Sequence, residues 1–158
     1  MDSWLLFVHV GAVIAFMTAH GVHVMVYLKQ RAEPDPERNL ALFEALVGPL
    51  PIRIAAVLIV ISGFALVWSL SLWDRWWVWL SMAILAAIWL AMYRFGGAYY
   101  GLIEDTATRA IAARGTDDEG PTLAAFAAAR LSWTPAALAA VGLGGIAAIL
   151  WLMIFRPF

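Results

Sequence analysis

Long uninterrupted apolar runs, separated by short stretches in which charges and prolines collect, organise the chain. Residues 4–28 carry no Asp, Glu, Lys or Arg, and a helix rising ~1.5 Å per residue crosses a bilayer over such a length. Three further runs, residues 52–72, 76–93 and 135–155, fit the same template. The pattern predicts an all-α protein, an integral membrane four-helix up-and-down bundle forming a single transmembrane domain over residues 1–158. The opening "MDSW" has no basic n-region and no small-residue cleavage site, so the first run is expected to be a retained helix.

The connections differ in kind. "KQRAEPDPERN" is charged and broken by Pro34 and Pro36, which predicts a solvent loop; "ALFEALVGPLP" reads as a short helical lead-in closed by Pro49 and Pro51. "WDRWW" predicts a tight turn inside an aromatic belt. The third connection, from Arg94 to Pro121, is expected to begin helical and end in a polar turn at Gly115. "TLAAFAAARLSW" then leads into the fourth span, as an interfacial helix or as its first turns, with Pro135 marking a boundary or a kink.

Composition agrees with the pattern. The chain is 64% hydrophobic and 13% charged, half the charge content usual in soluble domains. Ten Lys and Arg against eleven Asp and Glu give a net charge of −1, which offers no electrostatic footprint for nucleic acid. With no cysteine, disulfides, thiolate metal sites and cysteine nucleophiles are excluded together. Lys29, Arg31, Arg38, Arg53, Arg94, Arg109, Arg114 and Arg130 fall on the side of the first and third connections, and only Arg75 and Arg156 on the other. This asymmetry predicts both termini on the non-cytoplasmic side.

All three histidines, His9, His20 and His23, lie in the first run. At ~100° per residue they share one stripe, and polar groups in a bilayer face the bundle interior. His9 and His23 are about 21 Å apart along the axis, a separation similar to that by which one helix of a membrane cytochrome b serves two stacked haems. No other run contains a histidine, so a second axial ligand must come from a second copy in a homodimer, or from Met17, Met25, Lys29 or a tyrosine. "MTAHGVHVM" offers a soft-metal alternative: Met17, His20 and His23 converge for copper, while Met25 points away. The structural alternative is a hydrogen bond from each histidine to Ser62, Ser81 or a backbone carbonyl of a neighbouring helix. Elsewhere, Glu44 and Arg53 read as an interfacial pair or as separate snorkelling groups, and Gly142, Gly144 and Gly145 as a close-packing face of the last helix. There is no Gly-rich phosphate loop, no nucleophile elbow and no intramembrane carboxylate pair.

"LLFVHVGAVIAFMTAHG" in the first helix, a polar loop, "IVISGFAL" in the second, a Trp-rich turn and a last helix running into "WLMIFRPF" together resemble the copper-resistance-D-like superfamily of small bacterial integral membrane proteins. A related group, the membrane-bound protoporphyrinogen oxidases, has a similar four-helix plan. The resemblance implies a multi-pass protein of the bacterial inner (cytoplasmic) membrane. The oxidase group implies haem b on a first-helix histidine, which falls on His9, whereas the copper branch draws attention to Met17, His20 and His23. That group also uses a lysine at the membrane edge of a later helix; the only lysine here is Lys29, at the end of the first.

The first functional expectation is therefore a membrane protein that binds b-type haem through His9, with His20 or His23 or their symmetry mates, for electron transfer or haem-linked redox chemistry. The alternatives are a copper-handling protein using Met17, His20 and His23, and a cofactor-free subunit or scaffold of a larger membrane complex. The expected partners are the lipid bilayer and a second copy or another membrane subunit.

Overall fold

The computed structural model describes residues 2–44 and 49–157, and among these every regular element is helical. In chain order the helices are α1 (Asp2–Ala32), α2 (Pro36–Glu44), α3 (Pro49–Ser69), α4 (Trp76–Ala91), α5 (Gly97–Ala112), α6 (Glu119–Arg130) and α7 (Thr134–Phe155), with a π-helical segment, Met92–Gly96, joining α4 to α5. Four stretches are long and apolar enough to cross a membrane: Ser3–Ala32, Ile52–Ser69, Trp76–Ala112 and Glu119–Phe155.

These boundaries refine the sequence reading. The first span reaches beyond residue 28 to Ala32, and the third continues without a break through the π segment to Ala112. The second stops at Ser69, where the Ser71 N–H bonds the Trp68 carbonyl and the Leu72 N–H bonds the Val67 carbonyl. Together these form a Schellman stop, with Ser71 in the left-handed position that glycine usually fills (φ 52°). Pro49 opens α3 rather than closing the lead-in, which is the position where its missing N–H costs nothing. "TLAAFAAAR" belongs to a separate helix, α6, and Pro135 sits in the first turn of α7 after a turn in which the Thr134 N–H bonds Ser132 Oγ.

The long helices pack as two antiparallel pairs. In one, α1 runs against α3; in the other, Trp77 and Val78 of α4 meet Leu152 of α7, and Ile88 meets Gly145. Arg156, just past α7, lies over the Trp77 ring at 5.9 Å. The Trp-rich turn is a ring cluster in which Trp73 touches Phe64, Trp68 and Trp79, and Trp79 Nε1 donates to the Trp73 carbonyl. This supplies the aromatic belt that the sequence predicts.

A second layer closes the opposite end. There α5 packs on α6 through Tyr99, Ile103 and Ala129, while Leu40 of α2 covers Ala107, Ala110 and Phe126. Asn39 and Gln30 are fully buried: Asn39 Nδ2 donates to the Gln30 and Glu33 carbonyls at the end of α1, and Gln30 Nε2 donates back to the Asn39 carbonyl. Two arginines complete the closure reciprocally. Arg31 donates to the Leu131 and Ser132 carbonyls at the end of α6, and Arg130 donates to the Arg31 carbonyl at the end of α1. Each guanidinium thus caps the negative end of the other's helix, the favourable arrangement for a cation at a helix C-terminus.

Asp35 caps α2 by accepting the Arg38 N–H at 3.0 Å. That bond holds its carboxyl below the ordinary 3.8 against an opposing desolvation, with the Arg114 charge acting in the same direction as the bond. A depressed carboxylate adds stability above its ordinary pKa and loses it as the pH falls, so Asp35→Asn should flatten the decline of the melting temperature below about pH 4. Asn39→Ala should destabilise the protein by about 1–3 kcal/mol, since it removes a buried and a part-buried hydrogen bond to carbonyls at the end of α1. Arg109→Ala, which removes only an exposed ion pair with Asp105, should cost less than about 0.5 kcal/mol. Thermal unfolding in mild detergent measures all three.

Candidate functional site

The three histidines leave α1 in different directions. His9 is 6% exposed and faces α3: its Nδ1 lies 3.0 Å from Ser62 Oγ, and its ring rests against Gly63, whose missing Cβ would come 3.3 Å from Cε1. The Ser62 hydroxyl donates to the Leu58 carbonyl, so its oxygen accepts the His9 Nδ1–H, and Nε2 is the nitrogen that keeps a free lone pair. The alternative of a hydrogen bond to Ser62 is thus realised at His9. Ser62 sits ten residues into the apolar stretch that begins at Ile52.

His23 turns back on its own helix, with Nδ1 2.8 Å from the Ala19 carbonyl. His20 meets different neighbours from His9: it lies against Gly142 of α7, near the end of Met92 of the π segment. Its ring stacks on Phe16 with an interplanar angle of 4°, and its Nε2 is buried without a hydrogen-bond partner.

What faces His20 is a gap shaped by a glycine. A Cβ at Gly142 would stand 2.9 Å from His20 Nε2 and 3.0 Å from the Met92 methyl, so both side chains reach the place where α7 has no side chain of its own. Met92 opens the π segment, whose extra residue per turn alters the direction of side chains at that point. π segments of one turn recur at functional sites. A buried imidazole nitrogen from α1 and the methyl end of a methionine from the π segment thus both approach Gly142.

Among the described residues, no three His, Asp or Glu gather in the manner of a zinc or iron site. Neither of the two grooves beside α1, one lined by Gly11, Ala15 and Leu58 and the other by Gly21, Met25 and Leu42, contains a histidine.

No family model matches the chain, and no curated protein or solved structure matches it. Its function is therefore argued from these residues alone.

The single stripe expected for His9, His20 and His23 is not one site. A helix in a bundle has neighbours on two sides, and the ~20° that separates His9 from His20 in the sequence reading suffices to hand one ring to α3 and the other to α7. Met17 is half-buried three residues before His20, on the same face of α1, whereas Met25 is exposed, as expected. Arg53 is exposed, and the Glu44 side chain lies outside the described residues, so their pairing has no structural account. Of the three glycines expected to pack, Gly142 and Gly145 do and Gly144 faces open space. Sequence reasoning missed Met92. Its signal was present only as a methionine directly before "YRFGG", at the end of a run read as an ordinary span.

Adding a methyl at Gly142 should overpack the His20–Met92 contact and cost about 1–3 kcal/mol, and Gly145→Ala should do the same against Ile88. Gly144→Ala meets nothing within 4 Å and should leave the unfolding temperature within error of the parent. Equal behaviour of the three variants would contradict the packing described.

Proposed function

We propose that the protein is a multi-pass membrane protein that binds one soft metal ion, copper in its monovalent state, between His20 and Met92. The observation that carries this reading is the buried, unpartnered Nε2 of His20, which lies against Gly142 together with the end of the Met92 side chain. A buried polar atom without a partner is costly, and a ligand that fills its lone pair removes the cost. One imidazole nitrogen and one thioether form a donor set suited to soft Cu(I) and poorly suited to harder divalent ions, and Met17 offers a second sulfur on the same face of α1. His20 and Met92 would hold and orient such an ion, which would supply a soft-metal centre in the interior, and the packed apolar helices would exclude water from it. The membrane is the bacterial inner membrane, with both termini on the non-cytoplasmic side, a placement supported by the excess of Lys and Arg in the first and third connections.

A second reading, b-type haem on His9 for electron transfer, is favoured by one observation. Ser62 fixes the His9 ring with Nε2 as the free lone pair, the tautomer of an iron ligand. It ranks second because Gly63 and α3 lie directly against that ring.

The deciding experiment is copper titration of the detergent-purified protein under reducing conditions, against a Cu(I) chelating competitor, with a visible spectrum of the same sample. The copper reading expects about one ion per chain, with affinity reduced at least tenfold in His20→Ala and in Met92→Leu, and unchanged in His23→Ala, whose ring bonds its own helix. Full binding by His20→Ala would overturn it. A Soret band lost in His9→Ala would establish the haem reading in its place, and absence of both metal and chromophore would favour a cofactor-free subunit.

A further inference from the structure

A groove of about 540 Å³ runs along α1 on the side away from His20, lined by Thr18, Gly21, Val22 and Met25, with Leu42 of α2 as its far wall and Lys29 at its end. Its floor is open at Gly21, where a Cβ would meet nothing within 4 Å. The groove changes chemistry along its length. From Ser3 to Leu28, α1 carries no charged residue, so Lys29 is the charge that ends its apolar run and stands where acyl chains give way to headgroups.

Lys29 is also free to take an anion. Among the described residues it has no carboxylate within 4 Å, because the acids nearby are engaged elsewhere: Asp35 and Glu37 both pair with Arg114, and Glu33 accepts the Asp35 N–H. The neighbouring Arg31 and Arg130 are committed to helix-end carbonyls. One uncompensated ammonium at the end of an apolar groove matches an amphiphile with a negative head and a hydrocarbon tail.

We propose that this groove binds one anionic phospholipid, with its phosphate on the Lys29 ammonium and one acyl chain along Gly21, Val22 and Met25 toward Thr18. Thr18 does not compete for the headgroup, since its hydroxyl donates to the Ile14 carbonyl. A free phosphate ion would use Lys29 and leave the groove without purpose, so the lipid accounts for both halves of the site. This inference requires membrane placement of the bundle and is independent of what His20 binds.

The test is native mass spectrometry of the full chain released from mixed micelles containing equal amounts of phosphatidylglycerol and phosphatidylcholine. The parent protein should retain phosphatidylglycerol about fivefold over phosphatidylcholine, the effect of one near-surface cation. Lys29→Ala should bring the ratio to about one, and Lys29→Arg should restore it. Gly21→Leu, which fills the floor while keeping the charge, should lower retained phosphatidylglycerol to the phosphatidylcholine level. Arg53→Ala, an exposed cation that does not line the groove, should leave the ratio unchanged. Equal retention of the two lipids by the parent, or an unchanged ratio in Lys29→Ala, overturns the proposal. An equal loss in Arg53→Ala does so by showing a diffuse surface charge effect. Unaltered retention in Gly21→Leu, or displacement of the lipid by inorganic phosphate, overturns the acyl seat by reducing the site to a headgroup contact.

Discussion

A polar group removed from water must find a partner inside the protein, and this requirement governs how the apolar helices are assembled. Its simplest answers are local. Thr18, Ser81 and Thr106 each return their hydroxyl to the carbonyl four residues back, and His23 does the same with its ring. Other answers join helices: His9 to Ser62 across α1 and α3, Asn39 to the end of α1, and the two arginines to each other's helix ends. Among the described residues five buried side-chain atoms remain without a partner, Gln30 Oε1, Asn39 Oδ1, Tyr99 Oη, Arg130 Nε and His20 Nε2, and of these only the last belongs to an imidazole.

Close approach is the second constraint, and it is set by glycine. Gly63 admits the His9 ring, Gly142 admits His20 and Met92, and Gly145 admits Ile88. The first two place an imidazole against the backbone of a neighbouring helix. The same absence of a side chain that lets α7 lie close to its neighbours also admits the His20 nitrogen and the end of Met92 to the α7 backbone. Packing and ligand chemistry are therefore linked at Gly142, and a methyl group there perturbs both.

Much of this was legible in the sequence. The four apolar runs mark the long helices because hydrophobic length is read directly from composition, and the Trp-rich turn and the polar turn at Gly115 lie where glycine, charge and aromatic residues announce them. The single histidine stripe was legible as an angle but not as a site. Which neighbour a ring meets depends on the pairing of α1 with α3 and of α4 with α7, and no single helix encodes that pairing. The π segment was illegible for a related reason. "MYRFGG" continues an unbroken apolar helix, and one extra residue in a turn leaves no mark on periodicity over so short a stretch. With it went Met92, whose partnership with His20 exists only after three helices have come together.

The reciprocal arginines carry a consequence for biosynthesis. The carbonyl of Arg31 is capped by a side chain 99 residues further along, and Arg31 in turn holds carbonyls 100 and 101 residues ahead. At a synthesis rate of roughly 5–20 residues per second, the end of the first helix waits about 5–20 s before its partner emerges. Throughout that interval water or the insertion machinery must serve those groups, so this end cannot close until α6 has been made, and a chain truncated before Arg130 can insert its first helices but cannot seal them.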